Sequence, residues 1–238
     1  MGKEIMSWQE ALKAHAEQAK ARVQKLTATT ATMLSFKNGK LRVGGEDMDN
    51  PLEVVILALR GERAYYDTDY DAENASSPTC YSYDGDSPHP DADAPQAETC
   101  GSCPWNEFGT KGKGKACKEG SRMALVLVDQ LGDLETADVL QAKTSVNNTK
   151  YLRSYAERLG APLFMFTTAI KNEVDPKTQY RLSFRSVDKL VLNDKLGPAL
   201  SAKVEEAERL LAVPYPKSED RPAKPAPKAR GGVRRSKF

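Results

Sequence analysis

Three of the chain's four cysteines fall in one short stretch, CGSCPWNEFGTKGKGKAC, residues 100 to 117. Cys100 and Cys103 form a C-x2-C pair, a spacing that lets two thiolates reach one ion about 2.3 Å from each sulfur. Cys80 stands nineteen intervening residues upstream and Cys117 thirteen downstream. One close pair and two single cysteines can build a tetrahedral four-thiolate zinc site. Such a site is closed, with no position left for a catalytic water. His89 is the one histidine able to replace a thiol, because His15 falls on the first predicted helix. The alternative is four unconnected thiols in an irregular loop.

The glycines and lysines of the same stretch imitate a phosphate loop. Gly109, four residues, Gly114 and Lys115 fit G-x-x-x-x-G-K, but Ala116 stands where a Ser or Thr hydroxyl must ligate magnesium. The flanks also lack the strand and helix that the loop requires. A nucleotide site is therefore not expected.

Lys111, Lys113, Lys115, Lys118 and Arg122 outnumber Glu107 and Glu119 here, with Trp105 and Phe108 beside them. Tyr65, Tyr66, Tyr81 and Tyr83 lie on the far side of an acidic loop. Lysines that follow phosphates, with aromatics that stack on bases, make a single-stranded nucleic-acid site. Lys111, Lys113, Lys115, Trp105, Phe108, Tyr65, Tyr66 and Tyr81 are the candidates. The competing reading is a solvated lysine loop with the aromatics packed around the metal. Catalysis has little support, with two histidines and no nucleophile–base pattern. DTDYDAE, residues 67 to 73, offers carboxylates for magnesium as in a nuclease, yet reads more simply as a solvated acidic loop.

The elements that must carry these residues are legible in outline. Ser7 and Glu10 form a capping box, and Trp8, Leu12, Ala19, Val23 and Leu26 form one helical stripe, so residues 1–29 are read as an N-terminal helix. Asn38-Gly39 between two apolar runs predicts a type I′ hairpin. Strands are expected at Leu52 to Leu59, Met123 to Asp129, Asp138 to Lys143, Leu163 to Ile170 and Gln179 to Val187, the last two joined by the turn VDPKT. A helix capped by Ser145 or Asn148 should bury Leu152, Tyr155 and Leu159 and stop at Gly160. A last helix, Asp194 to Ala212, should bury Leu196, Leu200, Val204, Ala207 and Leu211. About seven strands and three helices, without βα alternation, predict an α+β domain on a curved, mostly antiparallel sheet.

At 238 residues, 39% hydrophobic and 29% charged, the chain can bury one sizeable core, with a subdomain. The core is expected over residues 30–213, with an insertion at about 67–122. Residues 214–238 have almost no apolar side chains and read as a disordered tail carrying eight basic and two acidic residues. The remainder has 27 basic and 31 acidic residues, so a polyanion contact in the body needs a local patch. No apolar run approaches the ~18 residues of a membrane helix, and the N-terminus lacks a secretory h-region. A reducing cytoplasm is expected, where cysteines serve as ligands or free thiols more readily than as disulfides.

The segment C-x2-CP-x-N-x-FG, carried by Cys100, Cys103, Pro104, Asn106, Phe108 and Gly109, continues into GKGKAC and the strand MALVLV. With LEVVILAL and Cys80 upstream, this pattern resembles phage-encoded single-stranded-DNA-binding proteins. In that family a zinc subdomain is inserted into an OB-type barrel. The resemblance spans roughly residues 30 to 190, and its specific part is the cysteine segment. It implies zinc held by Cys80, Cys100, Cys103 and Cys117. It also implies a non-enzymatic role, coating single strands in phage replication or recombination in the cytoplasm of an infected bacterium. Proteins of this class often end in an acidic tail that recruits replication partners, whereas this chain ends in RGGVRRSKF. An added grip on DNA or RNA is the simpler use for such a tail. Contact with a host or replication protein through the zinc subdomain or tail is the competing function.

Overall fold

The structure is a computed structural model that describes residues 32–68 and 77–215. Its centre is β4 (Leu52–Tyr65), a 14-residue strand whose first half alternates between two cores. Val54 and Ile56 face one core, Val55 and Leu57 the other. The uninterrupted LEVVIL run thus follows from burial on both faces of the sheet.

Around β4 the strands form one nine-stranded sheet. They are β1 (Met33–Lys37), β2 (Lys40–Val43), β3 (Glu46–Met48), β5 (Cys80–Ser82), β6 (Lys118–Leu127), β7 (Leu140–Ser145), β8 (Phe166–Asp175) and β9 (Gln179–Lys189). The order is β3-β2-β1-β7-β6-β4-β8-β9, with β5 on the far half of β4. All pairs are antiparallel except β1 with β7, where Met33 faces Gln141 and Leu34 faces Ala142. The sheet curls into a half-barrel, so the molecule is α+β with a mostly antiparallel sheet, as expected.

Two asparagines bring distant parts of the strand order together across the curl. Asn50 Nδ2–H donates to Gly39 O at 3.0 Å and to Asn172 O at 2.8 Å, while Asn172 Nδ2–H reaches Lys40 O at 3.2 Å. Asn38 and Gly39 both take positive φ (54° and 74°) between the paired ends Lys37 and Lys40, as the predicted turn requires.

Helix α1 (Val146–Leu159) packs Leu152 and Tyr155 into one core. Ser145 caps it by accepting the Asn148 N–H, and Gly160 stops it in the left-handed region. Helix α2 (Leu196–Ala212) buries Leu200, Ala207 and Leu211 in the other core. It also buries Lys203, whose Nζ donates to Ala137 O at 2.7 Å, an arrangement the apolar pattern does not foresee.

The expected elements appear with shifted ends. β4 and β6 each extend beyond their apolar runs because they pair with one another as far as Ala64 and Lys118. Leu163–Met165 is a 3-10 turn before β8 rather than part of the strand. Nine strands and two α-helices stand among the described residues, against about seven and three expected. The predicted N-terminal helix and most of the tail lie outside the described residues. No helix among the described residues is long and apolar enough to cross a membrane.

Candidate metal centre and basic loop

The far half of β4 carries a lobe of irregular chain that returns to the sheet at β6. Cys80 is fixed by strand pairing, opposite Tyr65 in the β4–β5 ladder. Cys100 is buried, its N–H donating to Asp86 O at 2.8 Å. Cys103 precedes a single 3-10 turn, Pro104–Asn106, and its carbonyl accepts the Asn106 N–H at 3.0 Å. Cys117 donates its N–H to Trp105 O at 2.9 Å, immediately before β6.

All four cysteines are free thiols, and all four line one cavity of about 20 Å³ together with Arg63, Tyr65 and Gln96. A volume near one water molecule suits a single ion better than an organic ligand. Chain segments 14 to 37 residues apart thus bring every cysteine of the protein to one cavity. No group of three or more His, Cys, Asp or Glu side chains among the described residues stands in metal-holding geometry. Convergence on the cavity and the absence of a formed ligand cage are therefore separate facts. Burial pushes the Cys117 thiol up to about 11, with Cys103 and Cys100 adding to the rise and Arg63 opposing it. Burial likewise raises Cys80. The metal ligand is the thiolate, so an ion in this cavity would have to reverse the sense of these shifts by its own charge.

His89 does not line this cavity. Its ring stacks on Tyr81, and its Nδ1 accepts the Asp91 N–H at 3.1 Å and lies 3.0 Å from the Tyr81 hydroxyl. It is not placed to replace a cysteine.

The glycine–lysine stretch is a small turn. The Gly109 and Lys111 N–H groups both donate to Gly114 O, and Gly114 N–H donates back to Lys111 O. A strand follows, not a helix, which agrees with the exclusion of a phosphate loop. Phe108 is 80% exposed, and Lys111 and Lys113 are exposed beside it. Lys115 differs: its Nζ donates to Asn106 Oδ1 at 3.0 Å, sits 5.1 Å from the Phe108 ring centre and 3.6 Å from Glu119.

The aromatic candidates separate in the same way. Trp105 donates Nε1–H to Gln96 Oε1 at 3.0 Å and stacks on Tyr65, so these two rings are half-buried against each other. Tyr66 is half-buried at the rim of a separate cavity. Tyr81, expected among the stacking residues, is 2% exposed and packs with Tyr83, His89 and Tyr215. It belongs to a small aromatic core, and that expectation is corrected. Of DTDYDAE, Asp67 and Thr68 are described, and the rest lies outside the described residues.

The sequence pattern did not reveal a covered charged network under the lobe. Arg122, 7% exposed, donates Nη1–H to the Tyr83 hydroxyl at 2.9 Å and Nη2–H to Gln141 Oε1 at 2.8 Å. Its Nε lies 3.7 Å from Glu62, which also holds Lys143 at 3.3 Å and the Tyr215 hydroxyl. Arg60 and Glu62, two residues apart beyond Leu59 and so on one face of a continuing strand, were the signal available for this network.

Compared with protein-family models, curated proteins and solved structures, the chain matches none.

Proposed function

We infer that the protein binds single-stranded DNA through a zinc-stabilised lobe set on an OB-type barrel, and performs no chemistry of its own. The observation that carries this reading is a juxtaposition. Four thiols meet at one ion-sized cavity, and the same lobe exposes Phe108 beside the cations Lys111 and Lys113.

Cys80, Cys100, Cys103 and Cys117 would hold the zinc. Each has a single side-chain torsion, and rotation among its staggered wells moves a sulfur without moving the backbone that brings the four together. When bound, the ion supplies a crosslink for a segment that lacks an extensive apolar core of its own. The donor set fits: four thiols, no carboxylate, and a volume too small for substrate. An exposed ring beside two exposed cations is a sequence-tolerant grip on a single strand. The resemblance of the cysteine segment supports a role in phage DNA replication or recombination, in the cytoplasm of an infected bacterium. RNA is the other strand it would tolerate.

The test is oligo(dT) binding across a salt series. Affinity should fall steeply with salt, and K111A/K113A should flatten the slope by about 0.7 for each phosphate that is no longer neutralised. No detectable binding at low salt overturns the reading.

A further inference from the structure

Apart from the thiols, Arg63 is the one ionisable cation among the described residues that line the cysteine cavity. It enters from β4, two residues before Tyr65 and opposite Ser82 of β5. Its Nη2–H is spent on Glu119 Oε1 at 2.9 Å, which fixes the guanidinium plane. The turn at Gly85, with φ of +83°, passes over the group, and a β-carbon there would sit 3.5 Å from Arg63 Nε. Its Nη1 is buried and has no hydrogen-bond partner. A covered guanidinium nitrogen without an acceptor is costly, and native structures nearly always supply one.

A zinc ion with four thiolates carries a net double negative charge in a site largely closed to water. Thiolate sulfur is also an acceptor, and metal ligands are commonly held by hydrogen bonds from a second ring of residues. We propose that Arg63 is the charge-balancing and positioning partner of the four-thiolate centre, donating Nη1–H to a thiolate sulfur while Nη2–H remains on Glu119. The same link runs onward, because Glu119 also pairs with Lys115, beside Phe108. The metal centre and the basic loop thus share one ionic chain. This proposal rests on the zinc reading above.

The experiment measures zinc affinity of the full chain by competition with a chromophoric chelator, with cobalt as a spectroscopic stand-in. The wild type should take up one ion per chain with a four-thiolate cobalt spectrum. R63Q should bind roughly 10- to 100-fold more weakly, the loss typical when an outer partner is removed. E119Q, which removes the ion pair but leaves the donor facing the cavity, should stay within about threefold of wild type, a smaller effect than loss of the outer donor itself. If R63Q and E119Q lose affinity equally, Arg63 acts only through its ion pair and the proposal fails. Unchanged affinity in R63Q also overturns it, while leaving the zinc reading intact. A wild type that binds neither metal sinks the zinc reading itself, a result distinct from the other two. Should R63Q not fold, R63K keeps the charge and the Glu119 pair but lacks the forked second donor. Weaker binding by R63K then supports the proposal, and wild-type affinity overturns it.

Discussion

Tyr65 and Trp105 stack with ring centres 5.1 Å apart and planes 17° from parallel, pinning the cysteine lobe to the end of the longest strand. Trp105 sits one residue beyond the Cys103–Pro104 step, and its carbonyl accepts the Cys117 N–H. The stack therefore fixes the backbone that presents two of the four thiols.

W105A should lower stability by about 2 kcal/mol, less than the ~3–5 expected for a fully buried tryptophan because the ring is half-exposed. W105F should recover much of that. Urea unfolding gives the number, and limited proteolysis gives the place: cleavage between residues 77 and 117 should accelerate. An unchanged proteolytic pattern would show that the stack does not hold the lobe.

Phe108 and Tyr81 should behave oppositely, although both were candidates for base stacking. F108A should weaken oligo(dT) binding by roughly 1–3 kcal/mol and leave the unfolding midpoint almost unmoved. Y81F should cost about 1 kcal/mol of stability by removing the hydroxyl that faces His89, and leave DNA affinity alone. Fluorescence titration beside urea melts separates the two, and a DNA-binding defect in Y81F would contradict the assignment of Tyr81 to the core.

Arg122 is covered, donates to the Tyr83 hydroxyl, Gln141 Oε1 and Leu211 O, and lies close to Glu62. Removing it leaves Gln141 Oε1 without its donor and takes one cation from the covered Glu62, which keeps Lys143 and the Tyr215 hydroxyl, so R122A should cost roughly 1–3 kcal/mol. Chemical denaturation measures it. A loss below about 1 kcal/mol would mean that Lys143 and Tyr215 alone satisfy Glu62.

Asp84 accepts the Asp86 and Ser87 N–H groups and the Ser82 hydroxyl, bonds that hold its carboxyl well below the usual carboxylate range. Because its pKa in the fold lies below the unfolded value, the charged form contributes stability that is fully present above about pH 4. That contribution is lost as the pH falls through the folded pKa. The stability difference between wild type and D84A should be constant near neutrality and shrink on acidification below about pH 4. A difference that grows in acid would reverse the sign and refute the assignment.

Elements whose local chemistry and tertiary environment agree are the ones legible in the sequence. Asn38-Gly39, Ser145 with Gly160, and the apolar face of α2 each carry a signal within a few residues. What escaped was set by partners far along the chain. β4 continues to Tyr65 because Lys118–Met123 pairs with it as far as Ala64 and Cys80–Ser82 pairs with its last three residues, and the charges of RGERAY look like a strand's end until Arg122 and Lys143 are placed beside Glu62. At the site, cysteine spacing allowed convergence without requiring it. Composition could not separate Tyr81 from Phe108: one ring is covered by Tyr83, His89 and Tyr215, whereas the other stands outside a turn.

Ala64 and Lys118 face each other in the β4–β6 ladder, so the intervening chain leaves the sheet and returns to it at neighbouring positions. In topological terms the chain between them is one long hairpin excursion, in which β5, paired to β4, is the one strand among the described residues. Exchanging or trimming the lobe would take only β5 from the sheet and leave the order of the other eight strands in place. A lineage could re-tool this organ while inheriting the chassis unchanged.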